Sequence, residues 1–343
     1  MQALRKVIVG NDGYHYTAGY FTSNKWLSND EIILARSKKS DIGQNEPCVQ
    51  MIKYSISSNS VEVLCEDLSE WGNYVVFENK IYYVTDSAIR VIDVESGENN
   101  VIYKSYSGVP GSPHITNDGR FISLFSCKPD KPTEVFRLDT SSGELKKCFE
   151  KSFPKPFDIA NHVMISPTDE NVFFFAHEGH TSYISNRLWI YDMTKNAMKN
   201  IAGQRLNDNG ELEDCFGHEM WTHDGKGLYF VKYYLSLSSP KGIAYVDFDS
   251  GKAEVLYSAF NYWHVGVSCD GRYLTADALI PGPNCQIVLI DTQIGSEQLI
   301  DIAPSSKSHP CHPHPMLSPD NKKIAYTSLD DLGNTCVRIA LLG

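Results

Sequence analysis

Turn sequences that recur at an even spacing constrain this chain more than any other feature. Each begins with Ser or Thr, contains Asp, and stands between two short runs rich in β-branched and aromatic residues. These turns lie at residues 116–120, 166–170, 222–226, 268–272 and 318–322. A separation of roughly fifty residues is typical of β-propellers, in which each blade is one repeat.

A second turn that ends in Gly follows at a similar offset, at residues 94–97, 140–143, 248–251 and 292–295. Each blade is therefore expected to contain four antiparallel strands, A to D, with the first turn between A and B and the second between C and D. The expected blade starts are near His15, Trp71, His114, His162, His218, His264 and His312. The sequence thus predicts an all-β fold, a seven-bladed β-propeller.

The two ends of the chain complete this pattern. A strand-like run at residues 4–9 precedes blade one, and the run at residues 336–341 ends the last blade one strand short. If the N-terminal strand joins the last blade, the ring closes and exposed sheet edges disappear. Because no segment has the composition of a linker, we predict a single domain over residues 1–343.

Composition narrows the class of protein. A formal net charge of −11 argues against a nucleic-acid surface. The N-terminal sequence lacks the apolar run of a signal peptide, and no later stretch is long and apolar enough to span a membrane. We expect a cytoplasmic protein with no membrane association, and no obligatory protein partner is evident.

A segment rich in histidine and proline, residues 308–315, is the strongest candidate site. His309, His312 and His314 each precede a proline, which favours extended backbone. Alternation along an extended chain would point His312 and His314 the same way. Such imidazoles suit a borderline transition metal. The alternative is a proline-rich surface loop whose histidines are merely solvated.

Propeller topology brings further polar residues toward the same place. Strand A begins and strand B ends at one rim, so both sets of loops open at one mouth of the channel. Six of the seven blade starts carry histidine, and the loop between strands B and C of blade four adds His177, His180 and Arg187. Some of these histidines, such as His218 in Gly217-His218, could instead tie strands together.

Several motifs together carry a family resemblance. They are His15-Tyr16, Tyr20-Phe21-Thr22, Ala176-His177-Glu178-Gly179, Arg187-Leu188-Trp189, Gly217-His218-Glu219-Met220-Trp221, Trp263-His264, and His312-Pro313-His314-Pro315 followed by Leu317-Ser318-Pro319-Asp320. With these residues the chain resembles the oligogalacturonate lyases, seven-bladed propellers of the bacterial cytoplasm that act on short pectin fragments. The likeness is faint between Cys48 and Pro113.

The resemblance implies a metal site. In that family manganese is held by a lone histidine and a Gln-x-x-His-x-His run. Carried over by motif, the ligands are His264, His312 and His314, and His309 stands where the family has glutamine. We expect a divalent metal, Mn²⁺ by resemblance, although a set of four imidazoles could favour Zn²⁺ or Ni²⁺.

The resemblance also implies roles in a reaction. His218 is the expected base and Arg187 the residue that meets a substrate carboxylate, in a metal-dependent β-elimination that cleaves short uronic-acid oligosaccharides. Residues expected to line the site for this acidic substrate are His15, Tyr16, His177, His180 and Trp263. Glu178 and Glu219 are expected to orient histidines.

Two alternatives stay open at this point. The enzyme could cleave a different uronate linkage, such as glucuronate-rhamnose. The chain could also be a non-catalytic propeller that binds a ligand or a protein, because a fold alone does not determine function.

Overall fold

The computed structural model describes residues 3–10, 12–19, 24–39, 48–104, 109–110, 112–128, 130–179 and 183–343. Within these ranges the regular secondary structure is almost entirely β-strand, arranged in seven antiparallel sheets. None of the described residues forms a helix long and apolar enough to cross a membrane. The prediction of an all-β, seven-bladed β-propeller is confirmed.

The strands follow the predicted blade order. They are β1 (Ala3–Val9); β2 (Tyr14–Thr17), β3 (Glu31–Lys38), β4 (Val49–Ser55) and β5 (Ser60–Leu68) in blade one; β6 (Tyr74–Phe77), β7 (Lys80–Val84), β8 (Ala88–Asp93) and β9 (Asn99–Lys104) in blade two; β10 (Val109–Pro110), β11 (His114–Ile115), β12 (Phe121–Cys127), β13 (Thr133–Asp139) and β14 (Leu145–Lys151) in blade three; β15 (Ala160–Ile165), β16 (Val172–His177), β17 (Leu188–Asp192) and β18 (Ala197–Ala202) in blade four; β19 (Phe216–Trp221), β20 (Gly227–Lys232), β21 (Gly242–Asp247) and β22 (Ala253–Tyr257) in blade five; β23 (Tyr262–Val267), β24 (Tyr273–Leu279), β25 (Asn284–Asp291) and β26 (Ser296–Pro304) in blade six; and β27 (Met316–Leu317), β28 (Lys323–Leu329) and β29 (Thr335–Leu342) in blade seven.

The chain divides into two compact units. The first unit contains residues 1–85, 89–101 and 264–343, and the second contains residues 86–88 and 102–263. Blades one and seven and most of blades two and six belong to the first unit, whereas blades three to five belong to the second. The single domain over residues 1–343 stays a prediction.

The recurrent turn between strands A and B has a local cause. In the turn of blade three the Thr116 hydroxyl donates to the Asp118 carboxylate at 2.6 Å, and the Arg120 amide donates to the same oxygen at 3.1 Å. Gly119 then takes a φ of 72°, a left-handed conformation that Gly adopts without strain. The same hydroxyl and amide bonds to Asp recur in the turns of blades five, six and seven. The repeat in the sequence is therefore a repeated Asp-centred turn.

Central strands are buried on both faces, which explains why they are almost continuously apolar. Phe173, Phe174 and Phe175 are consecutive on β16, and each is 0% exposed. Successive side chains on a strand point to opposite faces, so both faces of this sheet are covered. Phe173 and Phe175 pack in one cluster with Phe125 and Val135 of blade three. This two-sided burial is what a central strand between packed blades requires.

The N-terminal strand joins the last blade as predicted. β1 pairs antiparallel with β29, giving the sheet order β1-β29-β28-β27. The Lys6 ammonium of β1 donates to the buried carboxylate of Asp301 on β26, which also accepts a hydrogen bond from the Tyr326 hydroxyl. This contact ties the closing strand to the neighbouring blade six.

Replacing Lys6 with Met should destabilise the protein, because Asp301 would keep its charge in a buried position with one partner fewer. We expect a loss of about 1–2 kcal/mol in the free energy of unfolding, since the Lys6 side chain is still 39% exposed. Urea unfolding measures this. Lys252→Met is the control, because its ion pair with Glu254 is largely exposed and should contribute little. Equal effects of the two substitutions would contradict the prediction.

Candidate metal centre and active-site residues

Four imidazoles lie together in the first unit. His264 is on β23, and His309, His312 and His314 precede β27. The distances between ring centres are 4.0 Å for His264 and His314, 5.2 Å for His264 and His312, 5.6 Å for His312 and His314, 4.0 Å for His309 and His312, and 6.5 Å for His309 and His314. We call these four residues the histidine cluster. Imidazoles that share one metal ion have ring centres about 4.5 to 6.5 Å apart. Three of these five distances lie within that range, and the two of 4.0 Å are shorter.

Asp277, on strand B of blade six, is hydrogen-bonded to two members of the histidine cluster. Its carboxylate accepts from the His264 amide at 3.0 Å and from the His264 ring nitrogen Nδ1 at 2.8 and 2.9 Å. It also accepts from the His314 amide at 3.2 Å. Burial raises the pKa of Asp277 to about 7, and the His314 amide opposes this rise. Sequence reasoning missed Asp277, because nothing in a short apolar strand marks one acidic residue as the partner of distant histidines.

The bond to Asp277 gives His264 the form that a metal requires. A carboxylate at Nδ1 places the ring proton there and leaves the lone pair on Nε2, the atom that would ligate. Burial, helped by the neighbouring imidazoles of His309 and His264, lowers the pKa of His312 to about 3, so this ring is neutral at physiological pH. A neutral imidazole is the ligating form. The donor set therefore fits a divalent transition metal.

The backbone of the His-Pro segment differs from the predicted extended run at two of its three histidines. His309 lies in a turn closed by a hydrogen bond from the Cys311 amide to the Ser308 carbonyl at 2.8 Å. His314 has a φ of 42°, in the left-handed region, so the expected extended geometry before each proline is wrong there. The physical reason is the hydrogen bond from the His314 amide to Asp277, which turns the backbone inward. His314 is 4% exposed, His312 is half-buried and His309 is exposed, so their burial also differs along the segment.

Arg187 lies in a buried network of charges in the second unit. Its Nε donates to the Glu219 carboxylate at 2.7 Å, and its Nη1 lies 3.5 Å from Glu178. Arg187 is 3% exposed and Glu219 is 0% exposed. His162 joins the network through its Nδ1, 3.2 Å from Glu219, so Glu219 orients an arginine as well as a histidine. Sequence reasoning expected the histidine contact and missed the arginine contact.

The pairing fixes the charges of these groups. Burial alone would raise the pKa of Glu219, but Arg187 and His162 outweigh it and hold that pKa well below its usual range. The pKa of Glu178 is lowered in the same way, against burial, by Arg187 and His162. Burial opposes the charge of Arg187, yet the two glutamates raise its pKa above its usual value. Arg187 is therefore a permanently charged, oriented guanidinium.

His218 is turned inward by a β-bulge in strand A of blade five. The register between β19 and β20 shifts between Gly217 and Met220, and His218 has a φ of 54°. A bulge re-aims a side chain that regular pleating would place on the sheet face. His162 on β15 lies in a similar β-bulge, with a φ of 51° at a register shift. His218 is 2% exposed, and sequence reasoning predicted its position without the bulge that orients it.

Two residues predicted to contact substrate have structural partners. The Tyr16 hydroxyl donates to Asp12 at 2.6 Å and accepts from Arg36 at 2.9 Å, and the side chain is 1% exposed. Burial and Asp12 raise the pKa of Tyr16 to about 12. The His15 ring nitrogen Nδ1 accepts from the Thr335 amide at 3.2 Å. The Tyr16 contacts lie within or beside blade one, and the His15 contact joins blade one to β29 of blade seven. The expected contacts of both residues with substrate stay predictions.

The remaining predicted residues are placed as follows. His177 stacks on Phe153 with ring centres 3.7 Å apart, and its Nε2 lies 2.7 Å from the Phe157 carbonyl, which are the contacts of a packed side chain. Trp263 is half-buried on β23 and directly precedes His264. His180 lies outside the described residues.

Comparisons with known proteins point to one group of enzymes. The oligogalacturonide lyase of Pectobacterium atrosepticum is 23% identical over 212 residues, which are 57% of this chain and 52% of that protein. The chain thus matches about half the length of this curated relative. No family model matches the chain.

Solved structures of similar fold cover the whole chain. An oligogalacturonate lyase in complex with manganese has a TM-score of 0.79 at 17% identity, over 100% of this chain and 99% of that chain. The oligogalacturonate lyase of Vibrio parahaemolyticus has a TM-score of 0.77 at 16% identity, over 100% and 98% of the two chains. At these low identities the structural similarity shows a shared fold. Together with the sequence match, it confirms the resemblance indicated by the motifs.

Replacing Asp277 with Asn should weaken metal binding, because an amide supports the His264 ring less well than a carboxylate does. We expect a loss of about 10- to 100-fold in affinity for Mn²⁺ or Zn²⁺, measured by titration calorimetry. Asp291→Asn is the matched control, since Asp291 is on the next strand of the same blade and pairs with Arg272. Unchanged metal affinity in Asp277→Asn would refute this role.

Replacing Glu219 with Gln should destabilise the second unit, because Arg187 would lose its closest buried anion. The folded-state pKa of Glu219 lies below its ordinary 4.5, so its contribution is fully present above about pH 4.5 and is lost as the pH falls further. We expect a cost of about 3 kcal/mol at pH 7 and a smaller cost at pH 3.5, from urea unfolding. Glu254→Gln, at a largely exposed ion pair, is the control. A cost of Glu219→Gln that is the same at pH 3.5 as at pH 7 would contradict the stabilising role of the ionised Glu219.

Proposed function

We propose that this protein is a metal-dependent polysaccharide lyase that cleaves short uronic-acid oligosaccharides, oligogalacturonates, by β-elimination. The observation that carries the proposal is the histidine cluster, with Asp277 fixing His264 at the positions where the family motif has its ligands. The similarity to oligogalacturonate lyases, one of them solved in complex with manganese, supports it. A short acidic oligosaccharide in the cytoplasm is the proposed substrate.

The reaction removes the proton at C5 of a uronate and expels the oxygen at C4. That proton is weakly acidic, because the electrons it leaves behind would sit beside a carboxylate that is already negative. A divalent cation, when bound by the histidine cluster, supplies Lewis-acid stabilisation of that negative charge. The residues proposed to hold it are His264, His309, His312 and His314, with Mn²⁺ the first choice and Zn²⁺ or Ni²⁺ alternatives.

Arg187 is proposed to pair with a substrate carboxylate. Its guanidinium is planar and always charged, so it can meet a carboxylate through two parallel hydrogen bonds. The bond to Glu219 holds the fork in one orientation before substrate arrives. Orientation in advance is what makes such a charge effective in catalysis.

His218 is proposed to take the C5 proton. Imidazole is the side chain best suited to accept a proton near neutral pH. The leaving oxygen at C4 must gain a proton in turn. Because the Tyr16 hydroxyl already donates to Asp12, we assign that proton to water.

One observation favours a second substrate class. His309 stands where the family has glutamine, and its imidazole could change both the preferred metal and the sugar accepted. A lyase for another uronate linkage, such as glucuronate-rhamnose, would use the same groups. A propeller that only binds a ligand or a protein would need neither the metal ligands nor the proposed base.

Replacing His218 with Ala should strongly slow turnover and leave bound metal unchanged, because the base is removed and the proposed ligands stay. We expect kcat to fall by about 10²- to 10⁴-fold on digalacturonate, followed by the ultraviolet absorbance of the unsaturated product. His312→Ala should lose the metal as well, by elemental analysis, and chelator should stop the wild-type reaction.

His223→Ala is the control, since this histidine lies in the turn between β19 and β20, outside the proposed site. A kcat of His218→Ala that falls by less than about tenfold would remove His218 as the base. If the wild-type protein binds metal but does not turn over digalacturonate, the other uronate linkage is favoured. If it shows neither turnover nor bound metal, the non-catalytic propeller is favoured.

A further inference from the structure

Trp71 brings a large aromatic surface to the histidine cluster. It precedes β6 in blade two, and its ring centre lies 6.2 Å from that of His309, with an angle of 34° between the planes. His309 in turn lies 4.0 Å from His312, centre to centre. The indole therefore extends the row of rings that begins in the histidine cluster, within the same unit.

The indole is anchored on one side and accessible on the other. Trp71 packs against a buried cluster that includes Leu68 and Tyr74, yet it is itself only half-buried, and the adjacent His309 is exposed. A half-buried Trp is stiff, because it has two side-chain torsions and its edge is fixed in the core. Such a surface can bind a flat apolar ligand face at little cost in conformational entropy.

We propose that Trp71 forms the wall of a second sugar subsite, on which the uronate ring next to the reacting one stacks. The inference rests on the proposed function and adds to it the length of substrate required. Pyranose rings present C–H groups on their faces, and these pack on aromatic rings. Stacking falls on the neighbouring ring, because an indole lying over the C5 proton of the reacting ring would obstruct the base.

Binding to two lengths of ligand tests this subsite. In a His218→Ala background digalacturonate stays intact, so its affinity can be measured by calorimetry in the presence of Mn²⁺ and compared with that of galacturonate. Trp71→Ala should weaken digalacturonate about tenfold and leave galacturonate unchanged, because only the longer ligand reaches the indole. Trp71→Phe should restore most of the affinity, whereas Trp71→Leu should not.

Further readouts separate stacking from a merely structural role. Metal content and thermal unfolding of Trp71→Phe should match those of the parent, and Trp189→Phe, at a half-buried tryptophan of blade four, should bind both ligands normally. Equal weakening of both ligands, or none, overturns the second subsite. No binding of either ligand to the parent overturns the proposed function itself.

Discussion

The hydrogen bonds of one buried carboxylate organise the histidine cluster. Asp277 accepts from the His264 amide, the His264 ring and the His314 amide, and so joins strand A of blade six to the segment that leads into blade seven. An ionised carboxylate is costly to bury unless donors surround it. Three donors from two blades meet that demand only in part, since burial still raises the pKa of Asp277 to about 7, and a cation bound by the cluster would favour the ionised form. The geometry of the cluster and the charge of Asp277 are therefore coupled.

The second unit also buries carboxylates, and there their charges are balanced by an arginine. Arg187 and Glu219 are both fully buried, and the pair is accompanied by Glu178 and His162. Breaking a buried pair leaves one uncompensated charge, so such pairs hold a side chain in one place even where they add little net stability. Orientation is thus the physical gain from this network, and an oriented guanidinium is what recognition of a carboxylate requires.

Short-range patterns in the sequence predicted the blades, because each Asp-centred turn closes through bonds within five residues. They also predicted that histidines stand at the blade starts. What they missed depends on contacts distant in sequence. The left-handed backbone of His314 follows from a bond to Asp277, 37 positions away, and the partner of Arg187 is 32 positions away. The bulge at His218 needs Gly217, since a Cβ there would lie 2.6 Å from the Tyr233 hydroxyl. The secondary-structure propensities of neighbouring residues do not indicate these long-range contacts.

As a proposed fourth ligand, the imidazole of His309 would change the balance between metals. Glutamine would offer an oxygen, which suits manganese, whereas a fourth nitrogen suits the later metals of the first row. His309 is exposed, and its ring lies between those of His312 and Trp71, with ring centres 4.0 and 6.2 Å away. The choice between manganese and a later metal should therefore depend on whether the His309 ring joins the donor set.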